Sequence, residues 1–139
     1  MKNELFVQLN NNKKEIGRLK QEFDKFGEIH RLPKSVLTNM HVALDEVLTN
    51  VVNYGYTDEK EHQIDVHFRL KVDMIEVEVI DDARPFNILD VDEPVTQKSI
   101  EEMPIGGLGI PLIKNLMDEV EYHRREGMNR LFLRVKIIH

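Results

Sequence analysis

Hydrophobic and polar residues change period several times along the chain, and each change marks an element. Glu4–Leu9 alternates weakly and predicts a short edge strand. Asn11–Glu28 places Ile16, Leu19, Phe23 and Phe26 at helical spacing, which predicts an amphipathic helix with Asn10 or Asn11 as its cap and Gly27 near its end. Pro33 opens a second helix running to about Tyr54, with Ser35, Val36, Met40, Ala43, Leu44, Val47 and Val51 as its buried stripe and Gly55 as its carboxyl-terminal cap.

The period then falls to two. Ile64, Val66, Phe68 and Leu70 alternate with polar residues, as do Ile75, Val77 and Val79, and the short Lys71–Met74 connection predicts an antiparallel hairpin. Asp81–Gly107 has no sustained period and holds Pro85, Pro94 and Pro104; a loop of that length in a compact domain is usually functional, often a lid. Gly109–Asp118 reads as a short helix with Pro111 in its first turn and Ile110, Ile113, Leu116 and Met117 inward. Glu119–Arg124 and Arg130–Ile138 form a last hairpin around Glu126-Gly127-Met128-Asn129. The order strand, helix, helix, strand, strand, loop, helix, strand, strand predicts an α+β fold: a two-layer sandwich with a mostly antiparallel sheet and helices on one face.

Composition narrows the class. A chain of 139 residues with no repeat or linker reads as one domain over 1–139. The absence of cysteine rules out disulfides and thiolate metal sites and fits a cytoplasmic protein. A net charge of -6 argues against nucleic acid as a partner, and no apolar run approaches a membrane span. Met1, Lys2, Asn3 and Glu4 lead into no apolar stretch with a cleavage site, so no secretory signal is expected.

Three segments carry candidate chemistry. Glu46, Asn50 and Asn53 share one side of the second helix, where Asn is a poor helix former. Two amides beside a carboxylate suit a hard cation such as magnesium, which takes few protein oxygens and keeps waters and phosphates, together with a group that accepts a proton. A solvated helix face is the plain alternative. Second, the apolar strand Val79-Ile80 ends in Asp81-Asp82-Ala83-Arg84-Pro85-Phe86-Asn87. An Asp at a strand end can accept from an exocyclic amine such as that of adenine, and a small residue after it leaves room for a ring; ordinary turn chemistry explains the same residues. Third, Ile105-Gly106-Gly107-Leu108-Gly109-Ile110-Pro111 puts glycines before a helix, where backbone N–H groups and the helix start favour an anion. It lacks the Lys and Ser/Thr of a Walker P-loop and the frame of a dinucleotide fingerprint, and a hinge would look the same.

Taken in order, the three resemble the GHKL ATPase superfamily of gyrase, histidine kinases and MutL, and within it the anti-sigma-factor serine/threonine kinase family. The likeness rests on Ala43-Leu-Asp-Glu-Val-Leu-Thr-Asn50-Val-Val-Asn-Tyr-Gly-Tyr56, on Asp81–Asn87, and on Gly106–Ile110 running into Leu116–Tyr122. It covers nearly the whole chain. The resemblance implies the GHKL ATPase fold, ATP and Mg2+ as cofactors, Glu46 as general base, Asn50 as the magnesium ligand and Asp81 as the reader of the adenine amine. It makes Gly107 and Gly109 glycines of the phosphate-covering lid and the helix behind it. Asn53, Ala83, Phe86, Gly106, Leu108, Ile110 and Asn129 complete the nucleotide-binding set. The implied activity is phosphorylation of a serine or threonine on an anti-sigma-factor antagonist by a chain that otherwise holds a sigma factor, with a homodimer expected. The alternative is a nucleotide-binding partner-switching module without phosphotransfer. A donor of phosphate to histidine is disfavoured, because no histidine sits in a phosphoacceptor helix pair.

Three positions depart from the family. Its Asp-x-Gly reads Asp81-Asp82-Ala83, a basic lid residue of some members is Ile105, and a Thr before the last strand is replaced around Met128-Asn129. Lys98 and Lys114 are the candidates to supply the missing lid charge. His30, His41, His62, His67, His123 and His139 read as scattered surface residues, and Arg124, Arg125 and Arg130 as a solvated hairpin face. Phe23 and Phe26 read as core, and Asp90, Asp92 and Glu93 as an acidic loop that either screens partners or is simply solvated.

Overall fold

The computed structural model describes residues 3–90 and 109–138. Its elements are β1 (Glu4–Asn10), α1 (Lys13–Ile29), α2 (Lys34–Tyr54), β2 (Gln63–Leu70), β3 (Met74–Asp81), a short 3-10 turn (Ile88–Asp90), α3 (Gly109–Leu116), β4 (Glu119–Arg125) and β5 (Met128–Lys136). The five strands form one antiparallel sheet in the order β1-β2-β3-β5-β4. β1 is an edge strand, as its pattern predicts.

Strand alternation writes two kinds of row across the sheet. On the inner face, Leu5, Phe68, Val77, Leu133 and Val120 stand in one row, and Val7, Val66, Val79, Leu131 and Tyr122 in the next. These rows join the buried stripes of α1 (Ile16, Leu19, Phe23, Phe26) and α2 (Val36, Met40, Ala43, Leu44, Val47, Leu48) in one core. Phe23 and Phe68, both fully buried, stack with ring centres 4.8 Å apart and fasten α1 to the sheet centre. Burying each such ring contributes roughly 1.5–3 kcal/mol.

The departures from the sequence pattern are local. Asn12, not Asn10 or Asn11, caps α1: its side chain accepts from the Glu15 N–H at 3.2 Å, while Glu15 accepts from the Asn10 N–H at 3.1 Å. Ser35 is exposed, because the first turn of α2 turns that position to solvent. The β4–β5 turn is two residues, Glu126 and Gly127, both at positive φ (54° and 78°), so Met128 and Asn129 belong to β5. Such a pair matches the twist of the flanking strands, which a four-residue loop would not need to do. The long loop holds the 3-10 turn at its start; its remainder, 91–108, lies outside the described residues.

Candidate functional site

The last inward position of β3 and the first of β5 are polar. Asp81 follows Ile75, Val77 and Val79 in phase, and the β3–β5 register sets it opposite Asn129. Both are buried, at 4% and 5% exposure, where the apolar rows end. Asn129 Nδ2 donates to Asp81 Oδ1 at 2.8 Å, to the Arg84 carbonyl at 3.0 Å and to the Ala83 carbonyl at 3.2 Å. The Tyr122 hydroxyl donates to Asn129 Oδ1, which fixes the amide with its NH2 toward Asp81. Arg124, in the inward phase of β4, is solvent-exposed as the pattern predicts, and it also donates to the Ala83 carbonyl at 2.7 Å.

Asp81 Oδ1 also accepts from the Ala83 N–H at 3.1 Å, and among the described residues no donor reaches Oδ2. Burial raises the Asp81 pKa above the ordinary carboxylate range; the hydrogen bonds from Asn129 and Ala83 oppose that and only partly recover it. The arrangement is a desolvated carboxylate, aimed by two N–H groups on one oxygen, with the other oxygen open to a donor. Ala83 is buried with its methyl toward the end of α2.

That end of α2 is tied to the same turn. The Arg84 N–H donates to the Gly55 carbonyl at 2.9 Å, and a Cβ built on Gly55 would come within 2.6 Å of the Val51 carbonyl oxygen and 2.7 Å of the Ala83 methyl. Gly55 has ordinary helical torsions (φ -79°, ψ -22°), so glycine is required there by close approach and not by a left-handed backbone. Asn50 precedes it on α2 by roughly 7.5 Å of helix rise. The Asn50 Nδ2 atom is buried without a hydrogen-bond partner. A buried amide donor left unpaired costs about 1–3 kcal/mol. Glu46 is half-buried on the same helix and Asn53 is exposed.

The sequence reading missed His62. Its Nε2 lies 2.7 Å from Asp58 Oδ1 and its Nδ1 3.1 Å from Asp82 Oδ2, and its ring stacks on Tyr56 at 4.2 Å. Other histidines read as scattered are also engaged: His41 with Asp24, His67 with Glu4, His123 with Glu121. Arg130 pairs with Glu78. Phe86 is exposed beyond the turn. Lys114 donates to the Leu89 carbonyl at 3.1 Å. Gly106, Gly107, Leu108, Ile105, Lys98, Asp92 and Glu93 lie outside the described residues, and Gly109 and Ile110 begin α3. An apolar groove between β1 and α1, lined by Leu5, Phe26 and Ile29, contains none of the candidate residues.

The sequence pattern of the histidine kinase-like ATPase domain matches residues 9–135. The chain belongs to that family. Curated relatives named serine-protein kinase RsbW include one from Bacillus mycoides, 32% identical over 99 residues (68% of this chain and 61% of that protein). Another, from Oceanobacillus iheyensis, is 28% identical over 96 residues (66% of this chain and 61% of that protein). The chain thus spans about six-tenths of the length of these relatives, 61% in each case. Among solved structures, the RsbU and RsbW domains of a Mycobacterium tuberculosis protein superpose with a TM-score of 0.70 at 15% identity, over 96% of this chain and 32% of that one. That likeness shows the shared fold: the histidine kinase-like ATPase sandwich anticipated from the motif order. Among the described residues, no helix is long and apolar enough to cross a membrane.

Proposed function

We propose that this histidine kinase-like ATPase domain binds ATP with magnesium and phosphorylates a serine or threonine of an anti-sigma-factor antagonist. One observation carries the nucleotide reading: Asp81 is a buried carboxylate whose donors among the described residues both sit on Oδ1, leaving Oδ2 to accept from an amine. The exocyclic amine of adenine is a donor that would satisfy that oxygen. Ala83 and Asn129 hold the turn, and Phe86 follows it where a ring would approach.

The chain's residues fit a metal-nucleotide complex. The buried Asn50 Nδ2 has no partner among the described residues and would donate to an acceptor such as a phosphate oxygen, while Asn50 Oδ1 is a ligand type magnesium accepts. Among the described residues no cluster of three or more carboxylates and imidazoles forms a cage, so the metal would share its ligands with phosphate oxygens. Bound in this way, magnesium supplies charge neutralisation at the triphosphate. Asn53 stands on the same helix nearer solvent. Glu46, an earlier turn of α2, would take the proton of the incoming hydroxyl. The glycines 106, 107 and 109, with Leu108 and Ile110, would cover the phosphates. The relatives named serine-protein kinase RsbW support the transfer step; a sigma factor as second partner, a homodimer and a cytoplasmic setting belong to the same proposal.

A nucleotide-dependent partner switch without transfer is the second reading, because the position of the family's basic lid residue is Ile105 and the Asp-x-Gly glycine is Ala83. The two readings part in one assay: purified protein, γ-labelled ATP, magnesium and the antagonist proteins of its own genome. Label on an antagonist, lost in Glu46→Ala while nucleotide binding persists, supports the kinase. Binding with no label on any antagonist supports the switch, and no binding defeats both.

A further inference from the structure

The connection between α2 and β2 holds a cluster that the proposed chemistry does not use. His62 is mounted on a fixed point: its N–H donates to Asn11 Oδ1 at 3.0 Å, and its carbonyl accepts from the Asn11 N–H at 3.0 Å. From there the imidazole reaches in two directions, to Asp58 at 2.7 Å within the connection and to Asp82 at 3.1 Å on the residue after Asp81. Tyr56 covers one face of the ring, nearly parallel at 16°. A neutral imidazole has one N–H and can donate to one carboxylate; holding both carboxylates as acceptors requires the doubly protonated ring.

The 81–84 turn is therefore gripped from two sides. Asn129 and Arg124 hold it from β5 and β4. Gly55 and His62 hold it from the end of α2 and the connection beyond. We propose that His62 is a positioning residue of the base pocket: by bridging Asp58 and Asp82 it clamps the α2–β2 connection to the turn and so sets the direction of the Asp81 carboxylate, an inference that rests on the nucleotide-binding reading above.

The charged groups facing the ring are Asp58, with Lys60 beside it, and Asp82 from the end of β3; Asn11 and Tyr56 are its neutral neighbours. The hydrogen bond to Asp58, then that to Asp82, raises the His62 pKa above the ordinary imidazole value. Burial, with the charges of Asp81 and Asp82, pushes the Tyr56 phenol far upward, so Tyr56 does not titrate in the same window. The imidazolium also offsets the Asp82 charge, which otherwise presses on Asp81 from one residue away. As pH rises through the His62 pKa, one of the two contacts is lost and the grip on the turn loosens.

The test is calorimetry of ADP with magnesium on the full chain, wild type against His62→Gln and His62→Ala, from about pH 6 to about pH 9. Phosphate titration of the ligand is common to all three proteins and cancels in the ratio of affinities. At the acid end His62→Gln is expected to bind roughly three- to tenfold more weakly than wild type, since the Gln amide carries its donors at one end only and turns an acceptor oxygen toward the other carboxylate; the ratio then closes toward unity as pH rises. His62→Ala should be weaker than wild type across the range. Melting is followed alongside. A ratio that does not change with pH, or melting that falls while affinity stays at the wild-type level, assigns His62 to fold stability alone and overturns the inference. Absence of binding by the wild type overturns the nucleotide reading and this inference with it, whereas wild-type binding with unchanged variants overturns only this one.

Discussion

Strand β3 buries carboxylates on both of its faces, and the two are managed in opposite ways. On the outer face Glu76 and Glu78 are 5% and 3% exposed, as hidden as Asp81 at 4%. The outer row through Glu76 runs Glu4, Arg69, Glu76, Arg134, Glu119, alternating in sign across all five strands. Glu76 takes contacts from Arg134 at 2.7 Å and Arg69 at 3.1 Å, and Glu78 from Arg69 at 2.8 Å and Arg130 at 2.9 Å. Burial pushes Glu76 upward, but Arg134, Lys71 and Arg69 outweigh it and hold the carboxyl below its ordinary value. Asp81 has an amide and a backbone N–H in place of guanidiniums, and there burial wins. Equal solvent exposure with unequal compensation separates a carboxylate paired with arginines across the sheet from the one proposed to read the base.

Exchanging each carboxylate for its amide breaks that comparison most directly. In Asp81→Asn the new amide can turn its oxygen toward Asn129 and the Ala83 N–H, which puts an NH2 where Oδ2 stood. A donor then faces a donor. ATP affinity should fall by at least about 100-fold, about 2.7 kcal/mol, while urea unfolding changes by less than about 1 kcal/mol because a desolvated charge is also removed. Glu76→Gln should do the reverse: nucleotide affinity unchanged, and stability lower by roughly 1–3 kcal/mol, less than for a fully enclosed pair because the arginines reach solvent. Calorimetry and urea unfolding on both variants decide it. If both lose the same property, the division between the two faces is wrong.

The two regions also differ in slack. Long arginine side chains on the outer face can shift, whereas the 81–84 turn is wedged against Gly55. Gly55→Ala drives a methyl into the Val51 carbonyl and the Ala83 methyl, and should cost roughly 1–3 kcal/mol of stability together with nucleotide affinity. Adding Ala83→Gly removes one of the two contacts and should restore part of both losses. A double variant no better than Gly55→Ala would mean that Ala83 is not what limits the space.

Much of this was legible from alternation. The parity of Ile75, Val77 and Val79 carries Asp81 inward, and Leu131, Leu133 and Val135 do the same for Asn129, so two polar residues had to close the core at one end. What joins them is register between segments 48 residues apart, which no local pattern states. The His62 clamp is hidden for the same reason, since Asp82 lies 20 residues away, although Asp58 at helical spacing was a visible hint. Two local signals were available. Asn12 with Glu15 three residues on is a capping pair, which selects among three consecutive asparagines, and Glu126-Gly127 between alternating strands fits a two-residue turn.

The smallest expected effect is also the one that reads both carboxylates in the intact protein. Glu76 has a folded pKa below its unfolded value of 4.5, so its contribution is full above pH 4.5 and is lost as pH falls through the folded value. Asp81 has a folded pKa above its unfolded value of 3.8, so the folded state holds the extra proton and stability declines as pH rises from 3.8 through the folded value. The two slopes oppose each other, and each is at most about 1.4 kcal/mol per pH unit. Urea midpoints between about pH 3 and about pH 7 should therefore fall more steeply on the acid side in Asp81→Asn than in wild type, and less steeply in Glu76→Gln. Nucleotide should steepen the wild-type profile on the acid side, because a ligand amine needs the ionised Oδ2 and binding favours the deprotonated form. A profile that ADP raises uniformly, with no change in shape, would take Asp81 out of the binding site and leave it a second structural carboxylate like Glu76.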